Sequence, residues 1–275
     1  MQRKPSAVWN TCLIPRRDNM RTINFSFSTK LTFDDYVHNH SFALRIIPPD
    51  TDTQKIITSS LSVTPSVSLR HTVDAFGNNV TTGYIQGDHR FLDFDIKGTA
   101  EVDASQHSTF YMPCYRYQSE YTEPSEPLKQ FHAGLSDRHC ESISERAAYF
   151  CDVLSDLIEY KKGVTDTKTK AADVFALKAG VCQDFAHLLI SLLRMDGIPA
   201  RYIAGLAFCN GETHAWVEYW NGAHWEGIDP ANNCPVNDDY IILAMGRDFR
   251  DCAIDRGVMF GTYTQQLQLV RSVLA

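Results

Sequence analysis

The chain has 275 residues, 44% of them apolar and 21% charged, with a formal net charge of −7. That length suits two domains, each large enough to bury its own core, and the composition is globular rather than fibrous or disordered. The acidic balance removes the electrostatic case for a nucleic acid or an anionic membrane as partner.

Residues 1–19 carry Arg3, Lys4, Arg16 and Arg17 among broken apolar stretches such as Cys12-Leu-Ile. No signal h-region or membrane span is expected there, and with Met20 available as a start, the segment reads as a disordered or misassigned extension. From Met20 to about residue 103 the pattern is β. Ile23 to Phe33 alternates apolar and polar positions, His40 to Ile47 does so again, and Pro48-Pro49-Asp50 and Gly77-Asn78-Asn79 supply turns. A small antiparallel sandwich-like domain is the expectation. Residues 104–127, with Pro113, Pro124 and Pro127 and little periodicity, read as linker or surface loop. From residue 128 helical character takes over, with Ala147, Phe150, Leu154, Leu157 and Ile158 on one stripe and Thr169 placed to cap a short helix ending near Gly180. Strands are then expected over 200–207, 213–220, 223–228, 240–245 and 263–273. Helices followed by an antiparallel sheet make an α+β layout rather than a doubly wound one.

The chemistry is carried by three residues. Cys182 opens an apolar run in which Phe185, Leu188, Leu189, Leu192 and Leu193 repeat at helical spacing until Asp196-Gly197. A cysteine at a helix N-terminus faces unpaired N–H groups and the positive end of the dipole, both of which favour a thiolate. Downstream, Asn221-Gly222 is a hairpin dipeptide between two aromatic-rich runs. Read as a two-residue loop, it pairs Trp220 with Ala223 and, six steps outward, His214 with Asp229. Directly opposed side chains share a face, so Asp229 could accept the Nδ1 proton of His214 and fix its tautomer. A nucleophilic thiol, an imidazole acid/base and an orienting carboxylate follow from this spacing.

Other polar residues carry blander readings. Asp184 is a first-turn carboxylate that complements the dipole. His187, five residues past Cys182 and roughly 140° around the helix, is a core or supporting histidine. Trp216 falls on the His214 face, where it either shields the site or packs in the core. Glu218 and Glu226 are solvent-facing or paired strand residues. Seven further cysteines, at 12, 114, 140, 151, 209, 234 and 252, show no framework spacing, which suggests buried small hydrophobes in a reducing, cytoplasmic compartment. Cys209, His214, His224 and Cys234 lie close in sequence, yet they form no Cys-x-x-Cys or His-x-x-x-His pair. With no phosphate loop or dinucleotide fingerprint either, neither a metal nor a cofactor is expected.

The runs Gly180-Val-Cys-Gln-Asp-Phe-Ala-His, Gly197-Ile-Pro-Ala-Arg-Tyr-Ile-Ala-Gly, Thr213-His-Ala-Trp-Val-Glu and Asp229-Pro-Ala-Asn-Asn together resemble the core of bacterial transglutaminase-like proteins. Gly246-Arg-Asp-Phe-Arg-Asp and Arg256-Gly257 extend the resemblance. Upstream, Phe42-Ala-Leu-Arg-Ile-Ile-Pro and Asp74-Ala-Phe-Gly-Asn are similar to the β region that precedes this core in many members. The resemblance implies a papain-like catalytic domain over residues 128–275, with Cys182 as nucleophile, His214 as acid/base and Asp229 as orienter. The resemblance does not settle the substrate, since the superfamily spans cross-linkers, peptidases and deglycosylating amidases; a peptide or protein amide is the expectation. Relatives that cross-link glutamine to lysine use an indole upstream of the cysteine to hold the oxyanion, and no Trp occurs between Trp9 and Trp216. The Cys182 N–H could be one oxyanion donor, with Gln183 or Tyr160 as candidates for the second. Hydrolysis is therefore expected ahead of amine transfer, with a non-catalytic binding module of the same fold as the alternative from another class.

Overall fold

The computed structural model describes residues 20–207, 212–262 and 265–274, the last stretch as backbone. The first half is almost all strand: β1 (Arg21–Leu44), β2 (Gln54–Thr64), β3 (Arg70–Val73), β4 (Asn79–Ile85) and β5 (His89–Val102). Helices α1 (Glu126–Gly134) and α2 (Ile143–Leu157) follow, then β6 (Glu159–Tyr160), α3 (Ala171–Leu177), β7 (Ala179–Gly180) and α4 (Cys182–Met195). The chain continues through β8 (Ala200–Ala207), β9 (His214–Trp220), β10 (Trp225–Asp229), β11 (Cys234–Pro235) and β12 (Tyr240–Gly246). It closes with α5 (Phe249–Cys252), β13 (Asp255–Phe260) and β14 (Gln265–Leu274). No helix among the described residues is long and apolar enough to cross a membrane.

Strand β1 organises the first sheet. Ile23, Phe25, Phe27, Leu31 and Phe33 alternate inward along it, as the period of two requires, and the first four pack with Leu92, Phe94 and Ile96 of β5. The sheet runs β2-β5-β1-β4-β3, and β13 and β14 also pair with β1. Strands from residues 255–274 thus complete a sheet begun by residues 21–44, and sheet pairing does not follow the sequence division expected at residue 128. Hydrophobic alternation marks a strand but not its partner, so this return was not legible locally.

The second sheet, β11-β10-β9-β8-β12, is antiparallel and carries α4 on one face. Every residue of α4 from Asp184 to Arg194 is buried. Its apolar side chains meet Tyr202, Ala204, Ala215, Val217 and Ile228 from the sheet and Phe150, Leu154 and Val174 from α2 and α3. On the opposite face Ile203, Trp216, Ile242 and Met245 form a separate cluster. Residues 104–127, expected as linker or surface loop, are packed instead: Tyr115 and Thr122 are buried, and the Tyr115 carbonyl accepts from Arg194 Nε at 3.0 Å. The guanidinium of Arg194 also bonds the carbonyls of Ala200 and Arg247, both at 2.8 Å, fixing the far end of α4.

Candidate active site

The start of α4 is shaped by Gly180 and Asp184. Asp184 Oδ2 accepts from the Val181 N–H and the Thr165 hydroxyl, both at 2.7 Å, tying the carboxylate to the turn that presents Cys182. The first-turn carboxylate expected here is therefore also a structural clamp. Burial pushes its pKa up against the pull of those two bonds.

The hairpin that carries His214 and Asp229 has a different register from the expected one. Trp220 pairs with Trp225 and Val217 with Ile228, so the tightest pair is Asn221 with His224, closed by the Asn221 N–H to the His224 carbonyl at 3.0 Å. Asn221 does not stand in the loop but caps it, its Oδ1 accepting from the Ala223 and His224 N–H groups. Gly222 takes the positive φ, +108°. The shift is two residues, so His214 and Asp229 keep the same face and become diagonal rather than direct neighbours. They meet through His214 Nε2 and Asp229 Oδ2 at 2.6 Å, not through the expected Nδ1. Nδ1 is thereby not engaged by Asp229, and Cys182 and His214 share one cavity.

Asp229 is fully buried, yet its carboxylate is surrounded by donors. Asn232 Nδ2 at 2.7 Å and the Tyr240 hydroxyl at 2.9 Å reach Oδ2, and the N–H groups of Ala231 and Asn232 reach Oδ1. Burial alone would raise its pKa, but the hydrogen bond and charge of His214, followed by the Asn232 and Tyr240 donors, hold it below the usual carboxylate value. Burial likewise disfavours charge on His214, but its hydrogen bonds to Asp229 and Cys182 prevail and push its pKa up to about 10. The arrangement supports a charged imidazolium at His214 at neutral pH. Sequence reasoning missed Asn232 and Tyr240. Asn232 had a signal in the Asp-Pro-Ala-Asn turn, whereas Tyr240 is brought from another strand and had none.

Cys182 and His214 open onto a cavity of about 580 Å³ whose walls include Val181, Tyr202, Ala204, Phe249 and Ile254. At its mouth Lys162 and Glu212 bridge at 2.8 Å. Tyr160 and Gln183 also line it. Tyr160 is about half exposed on the short β6–β7 ladder, and the Nε2 of Gln183 is buried with no partner. Trp216 is wholly buried, 6.4 Å from the His214 ring and 5.2 Å from that of Tyr240. His187 is buried in α4, its Nε2 accepting from the Phe249 N–H at 3.1 Å. Glu218, one of the two glutamates read as solvent-facing or paired, is buried against Arg201 at 2.6 Å. Among the described residues no cluster of His, Cys, Asp or Glu could hold a metal ion, and Cys209 lies outside them.

Comparison with known proteins accords with this geometry. Residues 129–230 match the transglutaminase-like superfamily, and residues 23–101 match the bacterial transglutaminase-like N-terminal region. The chain belongs to the transglutaminase-like superfamily. The transglutaminase-like core and the β region together resemble the crystal structure of a "putative cysteine protease" from Cytophaga hutchinsonii. The two share a TM-score of 0.78 and 22% identity over 94% of this chain and 91% of that one, which shows the shared fold. An uncharacterized protein from Mycobacterium leprae is 26% identical over 248 residues, covering 82% of this chain and 88% of its own length. A protein-glutamine gamma-glutamyltransferase from Pseudomonas aeruginosa is 34% identical over 70 residues, only 21% of this chain and 10% of its own length.

Proposed function

We propose that this transglutaminase-like protein is a metal-free cysteine amidohydrolase acting on peptide or protein amides. The observation that carries the reading is the buried His214–Asp229 hydrogen bond in the cavity that His214 shares with Cys182 at the tip of α4. Cys182 Sγ attacks the carbonyl carbon, and the π electrons move to oxygen. As the intermediate collapses, the C–N bond breaks and the leaving nitrogen takes a proton from His214 Nδ1, leaving a thioester. Water then adds to the thioester while Nδ1 accepts its proton, and the acid departs as Sγ is released. Asp229 keeps its proton off throughout and holds the ring through Nε2.

Val181, Ala204, Ala215, Phe249 and Ile254 give the cavity an apolar wall beside the polar Gln183, Thr213 and His214, which favours an acyl group with an apolar portion at the scissile amide. No indole precedes Cys182 within the described chain, which favours water over an amine as acceptor. Cys182→Ala is expected to abolish release of nitroaniline from acyl-peptide nitroanilides. In the wild type, iodoacetamide alkylation of Cys182 should reach its plateau well below pH 8, and His214→Ala should remove that plateau. Wild-type turnover by Cys182→Ala would sink the reading. Incorporation of a labelled amine in preference to hydrolysis would replace it with acyl transfer, the reaction named for the Pseudomonas aeruginosa relative.

A further inference from the structure

We infer that the side-chain carboxamide of Gln183 is the second donor to the oxyanion formed at Cys182, an assignment that rests on the acyl-enzyme reading above. Native proteins seldom leave a buried amide N–H unpaired, and such orphans mark places where a partner arrives during function. Gln183 Nε2 is such an orphan, and Gln183 is one of the residues lining the cavity that Cys182 and His214 share.

Its place in the chain fits the role. Cys182 and Gln183 are the first two residues of α4, whose earliest N–H groups have no intrahelical acceptor; those of Asp184 and Phe185 are the first to be used, both by the Val181 carbonyl. The Cys182 N–H is thus free to supply one oxyanion donor, and the adjacent carboxamide supplies another from the same helix turn. The alternatives are placed less well. Trp216 Nε1 also lacks a partner, but it lines a different cavity, with Glu218, Trp225 and Tyr240. Tyr160 is about half exposed. Tyr202 lines the same cavity and is buried, so its hydroxyl is the one serious rival.

A peptide aldehyde tests the donor without any turnover. Attack of Cys182 Sγ on acetyl-leucyl-leucinal forms the S–C bond and breaks the C=O π bond. The resulting oxygen, placed where the oxyanion would be, takes the proton from His214. Binding is read as protection of Cys182 from iodoacetamide by peptide mapping. Gln183→Met keeps the side-chain volume and removes the donor; it should weaken aldehyde binding about thirtyfold or more. Its alkylation rate and pH profile without aldehyde should stay within about twofold of wild type, which shows that the helix turn and the thiol–imidazole pair are intact. Tyr202→Phe should bind the aldehyde within about threefold of wild type. Unchanged binding in Gln183→Met, or a loss confined to Tyr202→Phe, would overturn the assignment, as would a Gln183→Met alkylation profile that collapses together with binding. Failure of the wild type to cleave nitroanilides, with aldehyde binding still dependent on Gln183, would instead overturn the hydrolase reading and leave the donor in place.

Discussion

At His214 two opposing effects can be weighed. Burial disfavours its charge, while Asp229 and Cys182 favour it, and the second effect prevails, with a pKa near 10 against an ordinary value of 6.5. A group whose pKa is raised on folding contributes stability that is complete below the unfolded value and is lost as pH rises through the folded one. The stability gap between wild type and His214→Gln should therefore be widest near pH 6 and shrink toward pH 10.5, by a few kcal/mol at most. Urea midpoints at the two pH values measure it, and a gap that grows with pH would contradict the imidazolium assignment. The residue types and the shared face of His214 and Asp229 were legible in the hairpin pattern. The nitrogen that meets the carboxylate was not, because ring orientation depends on Cys182, Asn232 and Tyr240, which arrive from other segments.

Among the elements, α4 was the most legible. Its apolar repeat and the glycine before it predicted a helix with the thiol at its tip, and the helix begins at Cys182. The reason Gly180 is needed there was not legible. A Cβ on Gly180 would lie 2.5 to 2.9 Å from the Asp184 side chain, so the clamp and the glycine belong together. Gly180→Ala should push Asp184 off the Val181 N–H, cost about 1–3 kcal/mol and slow alkylation of Cys182; thermal melting and peptide mapping would show whether the two losses coincide. In the hairpin, Asn221-Gly222 correctly marked a turn. The two-residue error in register arose because the Asn221 side chain, capping the loop from its first strand position, competes with its own entry into the loop.

Across the whole molecule, the β region and the transglutaminase-like core are joined by side chains that act as a missing strand. Edge strand β12 receives Gln54 at Ile242 and Asn78 at Met245, each amide donating to a main-chain carbonyl and accepting from the N–H of the same residue, at 2.7 to 2.9 Å. Leu206, Ile241 and Leu243 of the second sheet are buried in the core of the first. Asn78→Ala would strand two buried main-chain groups and should cost about 2–4 kcal/mol, read from the urea midpoint. The same β region holds a buried pair, His40 Nδ1 and His89 Nε2 at 3.1 Å, with rings stacked at 5.3 Å. Burial, and then the charge of His89, lowers the pKa of His40 to about 4. Between pH 6.5 and 4 the unfolded chain binds the proton that folded His40 refuses, so stability should fall across that window by up to about 3 kcal/mol. A His40→Phe variant should show a flatter dependence.

The sequence by itself determined the elements that rest on local physics: the β alternation of β1, the apolar repeat and polar tip of α4, the turn after Trp220, and the identities of Cys182, His214 and Asp229. Period and turn chemistry are properties of neighbouring residues, so they can be read along the chain. Only the tertiary structure decided that β13 and β14 return to β1, that Gln54 and Asn78 join the two sheets, and that Asn232 and Tyr240 hold the carboxylate behind His214. It alone leaves Gln183 without a partner. These are contacts between residues far apart in the chain, selected by which edges and buried polar groups remain unsatisfied once the sheets are packed, and no local pattern encodes that remainder.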